Sequence, residues 1–127
     1  MNRNDHMAIG TSIGFINSLY LISDKPADKN AKDSAKIFEA VLYTGAAIFG
    51  SVAPDMLEPA NNPRHRDFFH SGILLFFIIV LYFYMSKKDD EKNQFLYNLG
   101  NSFLVGYSSH LITDSSTPAG LPFVGKN

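Results

Sequence analysis

The chain has 127 residues, of which 46% are hydrophobic and 18% charged, with a formal net charge of −1. That length predicts one domain over residues 1–127. The near-neutral balance excludes a disordered polyelectrolyte and a basic nucleic-acid binder, so no direct nucleic-acid binding is expected. With no cysteine, disulfide frameworks, thiolate metal sites and cysteine nucleophiles are excluded as well.

The mean hydropathy of −0.03 conceals a segregation along the chain. All Lys, Arg, Asp and Glu residues fall in five zones: Arg3–Asp5, Asp24–Glu39, Asp55–Asp67, Lys87–Lys92 and Asp114–Lys126. The stretches Met7–Ser23, Ala40–Pro54, Phe68–Ser86 and Gln94–Thr113 carry no formal charge. A water-soluble helix places charges at helical spacing on its outer face, so four uncharged helix-length stretches predict outer faces turned away from water. The alternative, a soluble bundle of four fully buried helices, asks for more interior than so small a domain has.

Taken in order, the first helix is predicted from about Asp5 or His6 to Ser23, ended by Pro26. A Lys- and Asp-rich loop, Asp24–Asp33, leads to Ser34 as N-cap of a second helix that stops before Pro54. In the loop Ala53–Arg64 that follows, Pro54, Pro59 and Pro63 exclude regular helix. The third helix takes Asp67–Met85, Ser86–Asp90 turns, and the fourth runs from about Glu91 to Thr113; the Pro- and Gly-containing tail Ser115–Asn127 is not helical. Against a span of roughly 20 apolar residues, the third and fourth stretches suffice, the first is marginal, and the second suffices only if extended back through Ile37 and Glu39. No strand-like alternation occurs. The predicted fold is an all-α, four-helix up-down membrane bundle with one polar, loop-rich end, crossing the membrane as a multi-pass protein. The polar N-terminus lacks a small-residue cleavage site, so no cleavable signal peptide is expected.

Up-and-down topology places the N-terminus, the second loop and the tail at one end. All four histidines map there: His6 begins the first helix, His65 and His70 flank the start of the third, and His110 lies near the end of the fourth. Asp55, Glu58 and Asp114 join them. His110 and Asp114 are an i, i+4 pair, stacked on one helix face as two ligands of one metal need. His6, Asp55, His65, His70, His110 and Asp114 are therefore the candidate metal ligands, with His65 either a ligand or a support to one. Imidazole nitrogen with carboxylate oxygen suits Zn²⁺, Mn²⁺ or Fe²⁺. The competing reading of each histidine alone is a helix cap. Ser71 is a weak nucleophile candidate, because no Gly-x-Ser-x-Gly elbow occurs.

Three ordered segments carry a family resemblance: Pro54-Asp55-Met56-Leu57-Glu58-Pro59; His65-Arg66-Asp67-Phe68-Phe69-His70-Ser71; and Gly106 through Asp114, continued by Ser116-Thr117-Pro118-Ala119-Gly120-Leu121-Pro122. With His6 and Gly10 before them, they resemble the YdjM-type membrane-bound metal-dependent hydrolases. The resemblance implies a small multi-helix inner-membrane protein whose polar motifs form one metal site, in a family described as LexA-binding and inner membrane-associated, so that a protein partner is implied too. The chain is more distantly similar to the helical zinc-dependent phospholipase C and nuclease group. That pattern falls on Asp55, His70, His110 and Asp114, with His6 toward a neighbouring metal, and it makes zinc the implied ion. Leu57 and Glu58 stand where many members have Asp-His, and Asp67-Phe68-Phe69 where many have Gly-x-Thr.

The expected chemistry is hydrolysis by metal-activated water of a phosphoester, lipid- or nucleotide-like. Asp55, Glu58 or Asp114, where not committed to the metal, is the candidate general base. Arg64 and Arg66 either clamp a phosphate or anchor the chain at the interface, and Arg66 is counted among the catalytic candidates. The alternative is a non-enzymatic inner-membrane protein with a structural metal site or a partner-binding role. Seven lysines (25, 29, 32, 36, 87, 88 and 92) lie at the end opposite the cluster, against Arg3, Arg64, Arg66 and Lys126 beside it. Positive-inside counting therefore puts the cluster outside the cytoplasm.

Overall fold

The computed structural model describes residues 3–23, 33–59, 68–87, 93–117 and 120–123. Among them lie four α-helices and no strand: α1 (Arg3–Ser23), α2 (Asp33–Leu57), α3 (Gly72–Ser86) and α4 (Gln94–Ser115), with a 3₁₀ turn, Phe68–His70, ahead of α3. The expected all-α class and four helices are present. The loops on which the orientation reading rests lie outside the described residues.

Two boundaries differ from expectation. Helix α2 runs through Pro54 to Leu57 instead of stopping before it. Pro54 lacks only the N–H that would have bonded one turn back, its own carbonyl accepts from the Glu58 N–H at 2.8 Å, and its ring is fully buried. A proline in the last turn thus costs the helix one bond while packing retains it. Helix α3 starts at Gly72 and not at Asp67, because the tighter turn at Phe68–His70 precedes it. Ser71 closes that turn with φ −97° and ψ 151°, and its Oγ accepts from the Leu74 N–H, a regular N-cap.

These shifts invert the predicted order of membrane-spanning capacity. At 25 residues α2 reaches about 37 Å; α3, with 15 residues, reaches only about 22 Å, short of the roughly 30 Å core. Among the described residues, one helix, Asp33–Leu57, is long and apolar enough to cross a membrane. Four spans are therefore not supported by helix length and composition.

The packing is a three-helix core with an outrigger. Helices α1, α2 and α4 pack against one another, while α3 packs chiefly along α4, so the four helices do not share one core equally. Close approach of α2 and α4 depends on glycine: a Cβ at Gly50 would overlap the Phe103 carbonyl, and one at Gly106 the Ala47 carbonyl. Polar side chains inside the core satisfy one another across helices, as Asn17 does by donating to Ser102 at 3.1 Å. Outward, α3 exposes Phe76, Phe77, Phe83 and Tyr84, and α1 exposes Phe15, Ile16, Leu19 and Tyr20. Apolar surface on this scale is what a lipid-facing protein presents, and a water-soluble monomer avoids it.

Candidate metal centre

The start of α1, the end of α2, the turn before α3 and the end of α4 meet at one end of the molecule, and with them His6, Asp55, His70, His110 and Asp114. Asp55 reaches the site only because α2 continues past Pro54. The histidines and Asp114 are buried; the Asp55 side chain, 27% exposed, is the one that touches the surface.

Three donor atoms form a triangle. His70 Nε2 and His110 Nε2 are 3.2 Å apart, and Asp55 Oδ1 lies 3.4 Å from the first and 3.6 Å from the second. Metal–ligand bonds of about 2.0–2.1 Å in a tetrahedral site put ligand atoms about 3.3 Å apart, so the triangle has the size of one tetrahedral face. Asp114 Oδ2 stands 3.7 Å from His110 Nε2, and His6 Nε2 stands 3.4 Å from Asp114 Oδ1. Two sets of ligand atoms, from His6, Asp55 and His110 and from His70, His110 and Asp114, each fall within 4.8 Å of one another. Both can hold a divalent metal, and His110 belongs to both.

The far side of each ring fixes its tautomer. His110 Nδ1 lies 2.7 Å from the Ser51 carbonyl, which can only accept, so Nδ1 carries the proton. His70 Nδ1 lies 2.9 Å from Glu58 Oε2, a carboxylate oxygen that equally accepts. In the neutral rings both Nε2 atoms then present lone pairs to each other, and that pair is stable only with a cation between them: a proton or a metal ion. A carboxylate or carbonyl behind the ring is the support that metal-bound histidines normally have. His6 stacks on His110 with centroids 3.7 Å apart, and its buried Nδ1 makes no hydrogen bond among the described residues.

At His70 the surroundings favour a positive charge. Burial disfavours a charged His70 ring, but the hydrogen bonds and charges of Asp55 and Glu58 outweigh it and raise its pKa above the ordinary value.

Glu58, a candidate base by sequence, has both oxygens engaged: Oε1 accepts from the Phe69 N–H at 2.9 Å and Oε2 faces His70. His65, Arg64 and Arg66 lie outside the described residues. Ser71 donates to the Phe68 carbonyl and caps α3, so its hydroxyl serves the backbone. Sequence reasoning missed the Ser51 carbonyl, which has no residue-type signature, and Tyr107, whose hydroxyl donates to the Phe69 carbonyl at 3.0 Å. Gly10, against Ser51, and Gly106, against Ala47, carried a visible signal as small residues in uncharged helices.

No curated protein and no solved structure matches this chain. The family described as YdjM inner membrane protein matches residues 1–124, nearly the whole length, and the chain that gathers these buried histidines and aspartates at one end belongs to that family.

Proposed function

We propose that this protein is a membrane-bound, metal-dependent hydrolase acting on a phosphoester. The observation that carries the reading is the pair of facing Nε2 atoms of His70 and His110, each ring locked from behind in the tautomer that a metal requires. Asp55, His70, His110 and Asp114 hold the ion, most readily zinc, and His6 extends the site toward a second one. A divalent ion held by these residues would supply hydroxide near neutral pH by lowering the pKa of its water toward about 7, and would polarise the oxygen of the bond to be cut. Asp55, at the exposed edge, faces incoming substrate and water. Glu58 orients His70 and acts through it. Arg66 remains the candidate for holding a phosphate.

The bilayer is the proposed partner of the apolar outer faces, with α2 crossing it and the other helices embedded beside it. The protein is proposed to lie in the inner or plasma membrane. Metal analysis of protein purified without added metal tests the centre, with at least one equivalent expected. Hydrolysis of an aryl phosphodiester that depends on Asp55 and His70 tests the chemistry; turnover surviving Asp55→Ala with His70→Ala would sink it.

One observation favours a second reading. Four of the five ligand residues are almost wholly buried, as in a structural site that ties helix ends together. A full metal equivalent without turnover would select it.

A further inference from the structure

The short segment that carries His70 is held from three directions. Glu58, at the end of α2, takes the Phe69 N–H and the His70 ring. Tyr107, on α4, donates to the Phe69 carbonyl. The third hold comes from the far end of the chain. Gly72 N–H donates to the Pro122 carbonyl at 2.8 Å, and Ile73 N–H donates to the Phe123 carbonyl at 3.0 Å.

A helix start leaves four N–H groups without partners inside the helix, and side chains or water usually meet them. Here the Ser71 hydroxyl takes the one at Leu74, and a separate piece of backbone takes the two at Gly72 and Ile73. That piece is anchored at Leu121 and upstream of Gly120. Leu121 packs against the buried cluster of Ala53, Ile78, Leu104, Tyr107 and Leu111. Upstream, Thr117 N–H and Oγ1 both donate to the Asp114 carbonyl, at 3.0 and 2.7 Å. Gly120 then turns the chain at φ 61°, where a side chain would be strained. The chain therefore leaves one buried residue of the centre, Asp114, and returns to clamp the backbone two residues after another, His70. While α3 packs chiefly along α4, this clamp ties its first residues at the end where His70 sits.

We propose that Gly120–Phe123 is a strap that positions His70 in the metal centre, so that the C-terminal segment sets metal affinity without contributing a ligand. The proposal rests on the metal reading given above.

Gly72 offers a selective test. It is the first residue of α3, where proline fits a helix, and Ser71 before it already has the extended backbone that proline demands. Gly72→Pro thus removes the N–H that the strap accepts and sets a ring carbon against the Pro122 carbonyl. Gly72→Ala keeps the N–H, and its Cβ meets Pro122 O at 3.8 Å and Phe123 O at 3.9 Å, ordinary contacts. In the full-length chain, Co²⁺ titration followed by visible absorption should give native affinity and spectrum for Gly72→Ala. Gly72→Pro should bind on the order of tenfold more weakly, with an altered visible band and unchanged helicity. A cap that served stability alone would lower the thermal midpoint and leave the cobalt band where it was, and that result overturns the proposal. If Gly72→Pro loses helicity, Leu121→Ser, which loosens the strap from the core, decides: weaker cobalt binding in a folded chain supports the strap, and native binding overturns it. Absence of cobalt binding in the unmodified chain would instead overturn the metal reading and the strap with it.

Discussion

His70 and His110 face each other through Nε2 at 3.2 Å, while Glu58 and the Ser51 carbonyl hold the opposite edges of the two rings. Forty positions apart in the chain, they are neighbours at the centre of the site, and both belong to the donor set that the proposed metal needs.

Removing one of the two should empty the centre. His110→Ala deletes the ring common to both candidate ligand groups, so bound metal should fall below about half an equivalent by elemental analysis, given that a site of this kind needs three or four protein ligands. Membrane association should be unchanged, because the exposed apolar faces of α1 and α3 are untouched.

Glu58→Gln tests orientation apart from ligation. The amide oxygen can still accept from Phe69, but the charge that raises the His70 pKa and fixes its tautomer is gone. Metal affinity should drop on the order of tenfold with little change in helicity. A base acting directly on water would leave affinity intact and remove turnover alone, so competition against a chromophoric chelator separates the two roles.

The spacing of α2 and α4 should be sensitive to a single methyl group. Gly106→Ala places a Cβ into the Ala47 carbonyl, and overpacking of this kind costs about 1–3 kcal/mol. Because α2 also carries Asp55 and Ser51, metal affinity should fall with stability. Gly45→Ala meets nothing within 4 Å and should be neutral or stabilising by up to about 1 kcal/mol. Thermal unfolding in detergent, with and without metal, reads both variants.

Metal removal should destabilise the whole end of the molecule. A ligand that binds only the folded chain adds about 2.7 kcal/mol at one hundred times its dissociation constant. Chelation should therefore lower the thermal midpoint, and titration with Zn²⁺ should restore it. A midpoint indifferent to chelator in protein shown to contain metal would mean that the ion is peripheral.

The membrane reading of α2 is open to labelling. The chain has no cysteine, so single substitutions at Asp33 and Leu57, the two ends of α2, are reported cleanly by a membrane-impermeant maleimide. The two positions should label from opposite sides of the vesicle, and labelling of both from one side would place α2 on the membrane surface or in a soluble bundle.

Much of this architecture was legible in the chain. Uncharged stretches foretold four helices, and helix direction alone put His6, Asp55, His70, His110 and Asp114 at one end, because helices that alternate in direction bring their starts and ends together in turn. The i, i+4 spacing of His110 and Asp114 is a local property, set by 3.6 residues per turn, and needs no partner to be read. Pro54 misled because the local cost of proline is visible in sequence, whereas the burial that outweighs it is not.

What only the tertiary structure decided is how those residues meet. Whether His70 lies beside His110, whether Glu58 holds a ring or attacks a bond, and whether the tail serves as a strap all depend on distances between segments far apart in sequence. Those distances follow from how closely α2 approaches α4 at Gly50 and Gly106, and from backbone groups such as the Ser51 and Pro122 carbonyls that every residue type carries alike. The sequence by itself determined which side chains share an end; packing determined which of them bring their donor atoms together.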